Sequence, residues 1–413
     1  MCSSDLNRDQ LYEDVHDMVN KHHDTTFYLI CSNIKDFKFI NEIFGMEKGN
    51  QVLIKQAKLM ASNPSERTIC ARLMNDRFAL CLPREEFDEK RVADSVKELQ
   101  REFTGNSFHM HMYMGVYEIR DRDEAVRIMV DKANIAADTI KNNYDCCVAY
   151  YDEHLLEISI EQRRLLGEFE PALQKDELVM YLQPQVNRDG AAKGAEALVR
   201  WVHPSRGILT PYAFIDILEN AGLIYKLDLY IWEKAAQKLA EWKEKGYGSY
   251  HISVNISTKD FYIIDIYETF TGLINKYGIA ASNLHLEITE TTLMTDFEKN
   301  MNIIHKLQDV GFRVEIDDFG SGYSSLNMLK DISADVLKID MGFLRKSENE
   351  VKGQDILESI IALAGKIGMD VITEGVETKK QLDMLTMMGC HEFQGYYFSK
   401  PVPVSEFEEK YLV

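Results

Sequence analysis

The sequence predicts an α/β protein of two domains, a smaller α/β domain followed by a TIM-type (β/α)8 barrel. The chain has 413 residues, a length that ordinarily divides into two or three domains with separate cores. Strand patterns alternate with helical patterns in both halves, which indicates sheets covered by helices. After residue 176 there are eight strand patterns separated by helical patterns, and that number is typical of a TIM-type barrel.

Composition excludes several classes of protein. The formal net charge is −20, which is unlike that of a protein that binds nucleic-acid polymers. The seven cysteines are odd in number and show no C-x-x-C spacing, which is typical of free thiols in a reducing cytosol and not of a disulfide framework or a zinc site. No apolar run is long enough for a membrane span, and the N-terminus lacks a signal-peptide pattern. We therefore expect a cytoplasmic protein with no membrane segment in this chain.

The first domain is assigned to residues 1–152. Its first strand pattern is a buried run at 27–33, and helical periodicity follows from 37 to 60. The remaining strand patterns lie at 68–73, 78–82, 109–119 and 148–151. Helical patterns fall between them, near 89–103 and 123–143. This interleaving predicts a sheet with covering helices.

A charged helical segment at 153–173 is predicted to connect the two domains. Apolar residues recur along it, among them Leu165, Leu166 and Phe169. A stripe of this kind predicts packing against a neighbouring element. Pro171 is predicted to mark the far end of the helix.

The second domain is assigned to residues 174–413. Its strand patterns lie at 178–186, 194–201, 250–256, 284–289, 312–317, 336–339, 370–373 and 391–394. Helical patterns lie at 212–220, 225–245, 265–277, 296–310, 324–331, 354–367 and 379–388. A doubly wound open sheet is the alternative to a barrel, but no G-x-G-x-x-G follows the first strand of this domain.

Polar side chains lie in or just after nearly every strand pattern of the second domain. These residues are Gln183, Glu196, Arg200, Asn255, Glu287, Asp317, Asp318, Lys338, Glu374 and Gln394. In a barrel most of these positions meet at the carboxyl-terminal rim, where the active sites of this fold lie. Two adjacent carboxylates before a Gly-x-Gly bend suit a hard divalent metal, although that stretch alone could be a polar turn. The residues on the other strands favour the metal site.

These motifs give residues 176–413 a resemblance to the EAL domain, the family of cyclic di-GMP phosphodiesterases. The matching segments are Glu196-Ala-Leu, Ser253-Val-Asn-Ile-Ser, Leu286-Glu-Ile-Thr-Glu, Asp317-Asp-Phe-Gly-Ser-Gly, Leu337-Lys-Ile-Asp, Glu374-Gly-Val-Glu and Gln394-Gly-Tyr. The departures from the family pattern, at Leu182, Ser321 and Thr373, remove no metal ligand. The resemblance implies a barrel whose first strand runs antiparallel to its neighbours.

The resemblance also implies a two-metal site. The residues implied to hold the first divalent ion are Glu196, Asn255, Glu287 and Asp317. Asp317 and Asp318 would share in holding the second ion. All-oxygen ligation points to Mg²⁺ or Mn²⁺ and not to zinc. The implied reaction is hydrolysis of cyclic di-GMP to the linear dinucleotide pGpG.

Further residues take roles from the same resemblance. Lys338 would polarise the water or offset phosphate charge, and Glu374 would act as general base or as partner of a metal-bound water. Gln394 would orient the catalytic water, and Glu290 would brace the loop after Asp318. The implied substrate-binding residues are Gln183, Leu198, Arg200 and Glu377.

The first domain resembles the GGDEF domain, the fold of diguanylate cyclases, but departs from its signature. Met74-Asn-Asp-Arg-Phe stands in place of Gly-Gly-Asp-Glu-Phe. Asn33 replaces a metal-binding Asp, Asn50 replaces an Asp expected to recognise guanine, and Arg77 reverses the charge of a Glu. We therefore expect no cyclase activity and a regulatory or structural role for this domain.

Two functions remain open for the barrel. The first is an active phosphodiesterase, which is favoured because the metal-ligand positions and Glu290 are all retained. The second is a non-catalytic cyclic di-GMP receptor or scaffold. A bifunctional cyclase and phosphodiesterase is disfavoured by Met74, Asn75 and Arg77. The resemblance further implies a homodimer formed through the barrel, near the helix predicted at 324–331.

Overall fold

The computed structural model describes residues 8–35, 37–60, 65–101, 110–141, 143, 146–319, 332–341 and 350–412. The chain divides into two compact units, one ending at Arg163 and the other beginning at Arg164. The domain boundaries drawn from the sequence stay a prediction. Within the described ranges, no helix combines the length and the apolar character that a membrane crossing requires.

The first unit contains a five-stranded sheet with β1 (Phe27–Ile34) at its centre. Its strands follow the order β2 (Ile69–Met74), β3 (Arg77–Pro83), β1, β4 (Met112–Glu118) and β5 (Val148–Tyr150). β5 runs parallel to β4, and the other neighbours are antiparallel. The helices of this unit are Arg8–Lys21, Phe37–Met60, Glu89–Arg101 and Val126–Thr139.

Successive residues of β1 enter two different cores, because side chains alternate across a strand. Ile30 packs with Val52 and Leu99 on one face, whereas Leu29 packs with Leu11 and other apolar residues on the opposite face. The predicted sheet with covering helices is therefore confirmed. The sequence pattern did not identify the helix Arg8–Lys21, which supplies part of the second core.

The second unit is built on ten strands in one sheet. Their bounds are β6 (Leu178–Val186), β7 (Ala192–His203), β8 (Gly207–Leu209), β9 (His251–Ile256), β10 (Leu284–Thr289), β11 (Val314–Phe319), β12 (Val336–Asp340), β13 (Asp370–Glu374), β14 (Glu392–Phe393) and β15 (Val402–Pro403). The helices between and after them are Ile215–Ala221, Ile224–Glu244, Asp260–Ile263, Ile266–Tyr277, Glu290–Thr295, Phe297–Val310, Glu350–Lys366, Lys379–Met387 and Val404–Tyr411. The helix predicted at 324–331, and with it the implied dimer contact, lies outside the described residues.

Eight of these strands close into a barrel, which confirms the predicted fold. β7 pairs in parallel with β9, and parallel pairing continues through β10, β11, β12 and β13 to β14. β6 closes the ring by antiparallel pairing with both β7 and β14. The antiparallel first strand implied by the family resemblance is thus confirmed. The open-sheet alternative is excluded by this closure.

The helix Glu153–Gln174 continues past Pro171, so the prediction that Pro171 marks its end is wrong. A proline inside a helix removes one backbone hydrogen bond and disturbs the preceding turn. Here Phe169 and Ala172 are buried in the core of the second unit. Their burial holds the last turn in helical form in spite of the proline.

Candidate active site

Acidic side chains from four barrel strands surround one lysine inside the barrel. Lys338 lies on β12 and is completely buried. The four acids are Glu196 on β7, Glu287 on β10, Asp317 on β11 and Glu374 on β13, and we call them the carboxylate ring. The sequence placed these residues at one rim, and the structure brings them together.

Distances within this group are short enough for direct ion pairing. Lys338 Nζ lies 2.8 Å from Glu374 Oε1 and 2.9 Å from Glu287 Oε2. The same nitrogen lies 3.3 Å from Asp317 Oδ1 and 3.5 Å from Glu196 Oε2. One ammonium group cannot neutralise four carboxylates, so the ring carries an excess of negative charge when its members are ionised.

Burial and the charges of neighbouring groups shift the pKa values of Glu287, Glu374 and Lys338. Burial and the charge of Glu196 raise the pKa of Glu287 well above its ordinary value, although Lys338 opposes them. Burial and the neighbouring carboxylates likewise raise the pKa of Glu374. Burial lowers the pKa of Lys338, but the surrounding carboxylates outweigh it and raise that pKa. Lys338 alone therefore does not supply enough positive charge to balance the four carboxylates of the ring.

The donor set fits a hard divalent cation. Glu287 Oε1 is buried and accepts no hydrogen bond from any described residue. Asn255 extends the set at the barrel mouth, where its side chain is exposed and its Nδ2 donates to Glu196 Oε1 at 3.1 Å. Carboxylate and amide oxygens are the ligands that Mg²⁺ and similar ions take, and an added cation would supply the charge that the ring lacks.

Gln394 and Gln183 support the ring from the side of β6. Gln394 Nε2 donates to Glu196 Oε2 and faces Gln183 Oε1 at 3.4 Å. Gln183 also donates to the carbonyl of Ser399 at 3.3 Å. Both glutamines are buried. Gln394 fixes the orientation of Glu196, and Gln183 in turn helps to hold Gln394.

The remaining predicted residues lie nearer the mouth or the surface. Arg200 lies over the ring of Tyr181, with its guanidinium carbon 5.6 Å from the ring centroid. Leu198 is half-buried on the same strand. Glu377 is exposed three residues after Glu374, and its backbone amide donates to Gln381. Leu198 and Arg200 follow Glu196 on the same face of β7, and Glu377 lies in the segment after β13.

For two of the predicted site residues, Asp318 and Glu290, the structure describes only part of the surroundings. Asp318 belongs to β11, but its side chain lies outside the described residues. Glu290 is half-buried at the start of the helix Glu290–Thr295, directly after β10. The loop that Glu290 is expected to brace also lies outside the described residues.

A second polar layer, which the sequence reading did not identify as a unit, lies beneath the ring. We call it the floor cluster, and its members are Gln185, His251, Ser253, His285 and Glu315. The sequence predicts Ser253 and His285 on the strand faces of Asn255 and Glu287, but its motifs do not include Glu315. Its position two residues before Asp317 was the available signal, since alternate residues share a strand face.

The charge states in the floor cluster follow from burial and mutual contact. Burial raises the pKa of Glu315, but the hydrogen bond and charge of His285 outweigh it and hold that pKa below its ordinary range. Burial, together with the charge of His285, lowers the pKa of His251 to about 3. Glu315 is therefore ionised and His251 neutral near pH 7.

A separate pair of carboxyl groups lies near the end of β9. Asp260 is completely buried, and its Oδ2 accepts from the backbone amide of Ser257 at 2.9 Å. Burial and the adjacent Asp260 carboxyl raise the pKa of Asp228 well above its ordinary value. Burial also raises the pKa of Asp260. Both carboxyl groups therefore keep a proton to higher pH than an exposed aspartate does.

The first unit holds a cleft of opposite charge. It has a volume of about 740 Å³, and we call it the basic cleft because five basic residues line it: Lys35, Lys38, Arg72, Arg77 and Lys141. Asp76 is the single acid among its described lining residues. One oxygen of Asp76 accepts from the backbone amide of Ile34, and Asn33 donates to the Tyr113 hydroxyl.

Comparison with known protein families assigns a domain to each half of the chain. A family described as the EAL domain matches residues 167–401. A family described as the diguanylate cyclase GGDEF domain matches residues 6–145. The first match includes the carboxylate ring, and the second includes the basic cleft.

Curated relatives share both halves. MucR of Pseudomonas aeruginosa, named a bifunctional diguanylate cyclase and cyclic di-GMP phosphodiesterase, is 30% identical over 395 residues, which is 93% of this chain and 57% of MucR. NbdA of the same organism, named a cyclic di-GMP phosphodiesterase, is 29% identical over 91% of this chain and 49% of its own length. The chain thus spans about half the length of these curated relatives.

Solved structures resemble the same parts. The PaMucR phosphodiesterase in complex with c-di-GMP is 34% identical, with a TM-score of 0.56 over 59% of this chain and 99% of that one. A Vibrio cholerae LapD fragment containing GGDEF and EAL domains has a TM-score of 0.59 over 94% of this chain and 93% of that one. At 18% identity, the second likeness concerns the fold alone.

Proposed function

The chain belongs to the EAL family, and from this premise we propose that its barrel is a metal-dependent phosphodiesterase that hydrolyses cyclic di-GMP to linear pGpG. The observation that carries the proposal is the carboxylate ring, four acids within 3.5 Å of the buried Lys338 Nζ. Relatives named as phosphodiesterases of this nucleotide support the choice of substrate.

The ring and its neighbours would hold the catalytic ions. In this proposal Glu196, Glu287, Asp317 and Asn255 hold one divalent ion, and Asp317 with Asp318 holds a second. The donor chemistry is suited to Mg²⁺ or Mn²⁺. When bound, the ions activate water and stabilise negative charge on the phosphate and the leaving oxygen.

The chain's own groups complete the reaction. Glu374 has a raised pKa and serves as the base that receives a proton from the attacking water. Lys338 keeps a positive charge beside the reacting phosphate. Gln394, already a hydrogen-bond donor to Glu196, orients the water, and Glu290 braces the loop that follows Asp318.

Residues at the barrel mouth would bind the nucleotide. Arg200 offers a guanidinium group to a phosphate oxygen, which suits its fork of donors. In this proposal Gln183, Leu198 and Glu377 position the ligand. We propose that the first domain has a regulatory role without cyclase activity, because its basic cleft lacks the acid that the family has at Asn33.

The test is hydrolysis by the purified chain. With Mg²⁺ or Mn²⁺, we expect cyclic di-GMP to be converted to pGpG, as followed by chromatography, and Glu196→Ala to remove detectable turnover. Glu409→Ala, at an exposed position of the last helix, is the control and should retain wild-type turnover. Unchanged nucleotide despite measurable binding would instead support the receptor function.

A further inference from the structure

The floor cluster ties together the strands that carry the proposed metal ligands. Ser253, His285 and Glu315 each lie two residues before a member of that ligand set, on β9, β10 and β11. Side chains two residues apart share a face, about 7 Å from each other along the strand. The cluster therefore forms the layer directly below the ligands, and Gln185 joins it from β6.

A single oxygen of Glu315 links three strands. Glu315 Oε1 accepts a hydrogen bond from His285 Nδ1 at 2.6 Å and from Ser253 Oγ at 3.2 Å. Gln185 Oε1 contacts His251 Nε2 at 2.7 Å and Ser253 Oγ at 3.4 Å. The network thus runs from β6 through β9 and β10 to β11.

The same side chains could in principle hold a metal ion, since ligand atoms of His251, His285 and Glu315 lie within 4.8 Å of one another. The ring geometry disfavours this. The two imidazoles are stacked with centroids 3.9 Å apart and planes 4° apart, so their in-plane lone pairs cannot converge on one ion. Both nitrogens of His285 also face oxygen acceptors, Glu315 Oε1 and the Ser282 carbonyl. The geometry is that of a hydrogen-bonded ion pair.

We propose that Glu315 is a positioning residue, whose hydrogen bonds to His285 and Ser253 fix the strands that present the metal ligands. This inference rests on the proposed function, because it assigns Glu315 a task in the same metal site. Glu315 does not touch the substrate or the ions. It acts through the strand segments above it.

Burial explains why this pair can hold the strands firmly. Glu315 is completely buried and His285 is 4% exposed. A buried carboxylate is costly unless it is paired, and charge-assisted hydrogen bonds are stronger than neutral ones. Any displacement of β10 relative to β11 would break the pair and leave a buried charge. The members of the carboxylate ring repel one another, so the strands that carry them require such a constraint.

The test measures Mn²⁺ binding without nucleotide, by electron paramagnetic resonance of the free ion, together with thermal unfolding. Residual Mn²⁺ binding by Glu196→Ala gives the contribution of other acidic sites. For Glu315→Leu we expect Mn²⁺ affinity to fall by about 10- to 100-fold, the usual range when a residue that orients metal ligands is lost. Glu315→Gln keeps the acceptor oxygen and should retain most of the affinity.

The double variant His285→Phe/Glu315→Leu separates positioning from stability. Replacing both members of a buried ion pair by apolar groups commonly restores stability. We expect its melting temperature to return towards that of the wild type while its Mn²⁺ affinity stays at least about tenfold weaker. Wild-type affinity in the double variant would overturn the inference.

A milder variant covers the case in which the double variant does not fold. Ser253→Ala removes only a hydroxyl that donates to Glu315, and a few-fold loss of Mn²⁺ affinity is expected. Unchanged affinity would then overturn the inference, as would a wild-type protein that binds no Mn²⁺. A wild-type protein that binds Mn²⁺ but leaves cyclic di-GMP intact would refute the proposed function alone, because these measurements use no nucleotide.

Discussion

The carboxylate ring and the basic cleft differ in the sign of the charge that they present to a ligand. In the ring, four acids surround one lysine, so a phosphate can approach only together with added cations. In the basic cleft, five basic residues face one described acid, so an anion needs no metal partner. The local charge thus has opposite signs at the two sites, in a chain whose formal net charge is −20.

Removal of the central lysine is the severest test of the ring. For Lys338→Met we expect the free energy of unfolding to fall by about 3–5 kcal/mol without metal, the cost of leaving buried charges without their partner. Denaturant unfolding measures this loss, and added Mg²⁺ should recover part of it by binding the folded state. Lys276→Met, which breaks an exposed ion pair with Glu233, should change little. Equal stability of both variants would contradict the charge argument.

The Asp228–Asp260 pair tests what acids do when no lysine lies among them. Burial raises both pKa values, with the Asp260 carboxyl adding to the rise at Asp228 and the charge of Glu219 adding to it at Asp260. The folded chain therefore binds protons more tightly than the unfolded chain. The resulting stability is complete below pH 4, near the unfolded pKa, and is lost as the pH rises through the folded values.

We expect Asp228→Asn to raise the free energy of unfolding near pH 8 by about 1–2 kcal/mol. The variant should also flatten the stability profile between pH 4 and pH 8, as measured by denaturant unfolding across that range. Asp216→Asn, at an exposed position, serves as the control. A steeper profile in Asp228→Asn than in the wild type would contradict the raised pKa of Asp228.

The smallest change in stability is expected for a substitution in the basic cleft. Asn75 has a positive φ of 54°, a conformation that glycine adopts without strain and asparagine tolerates. Asn75→Gly should therefore change stability by less than about 1 kcal/mol. We expect neither this variant nor the wild type to form cyclic di-GMP from GTP and Mg²⁺ when the nucleotides are separated by chromatography. Formation of that product would remove the contrast between the two sites.

Strand alternation and strand ends made much of the site predictable. They placed the carboxylate ring at one rim, and the eight-strand count indicated a closed barrel. They could not show that Lys338 contacts every member of the ring, because such contacts depend on the register between five strands. Glu315 was overlooked for the same reason, since its partners Ser253 and His285 are distant in sequence. The prediction that the helix ends at Pro171 is wrong because the burial of Phe169 and Ala172 outweighs the tendency of proline to end a helix.

The reversed direction of β6 changes where the barrel receives its N-terminal connection. In a barrel of eight parallel strands the chain would enter at the end opposite the active site. Here Leu178, the first residue of β6, pairs with Trp201 near the carboxyl end of β7, and the helix ending at Gln174 comes just before it. The helix that ends at Gln174 therefore joins the barrel at the end formed by the carboxyl ends of the parallel strands, and not at the opposite end.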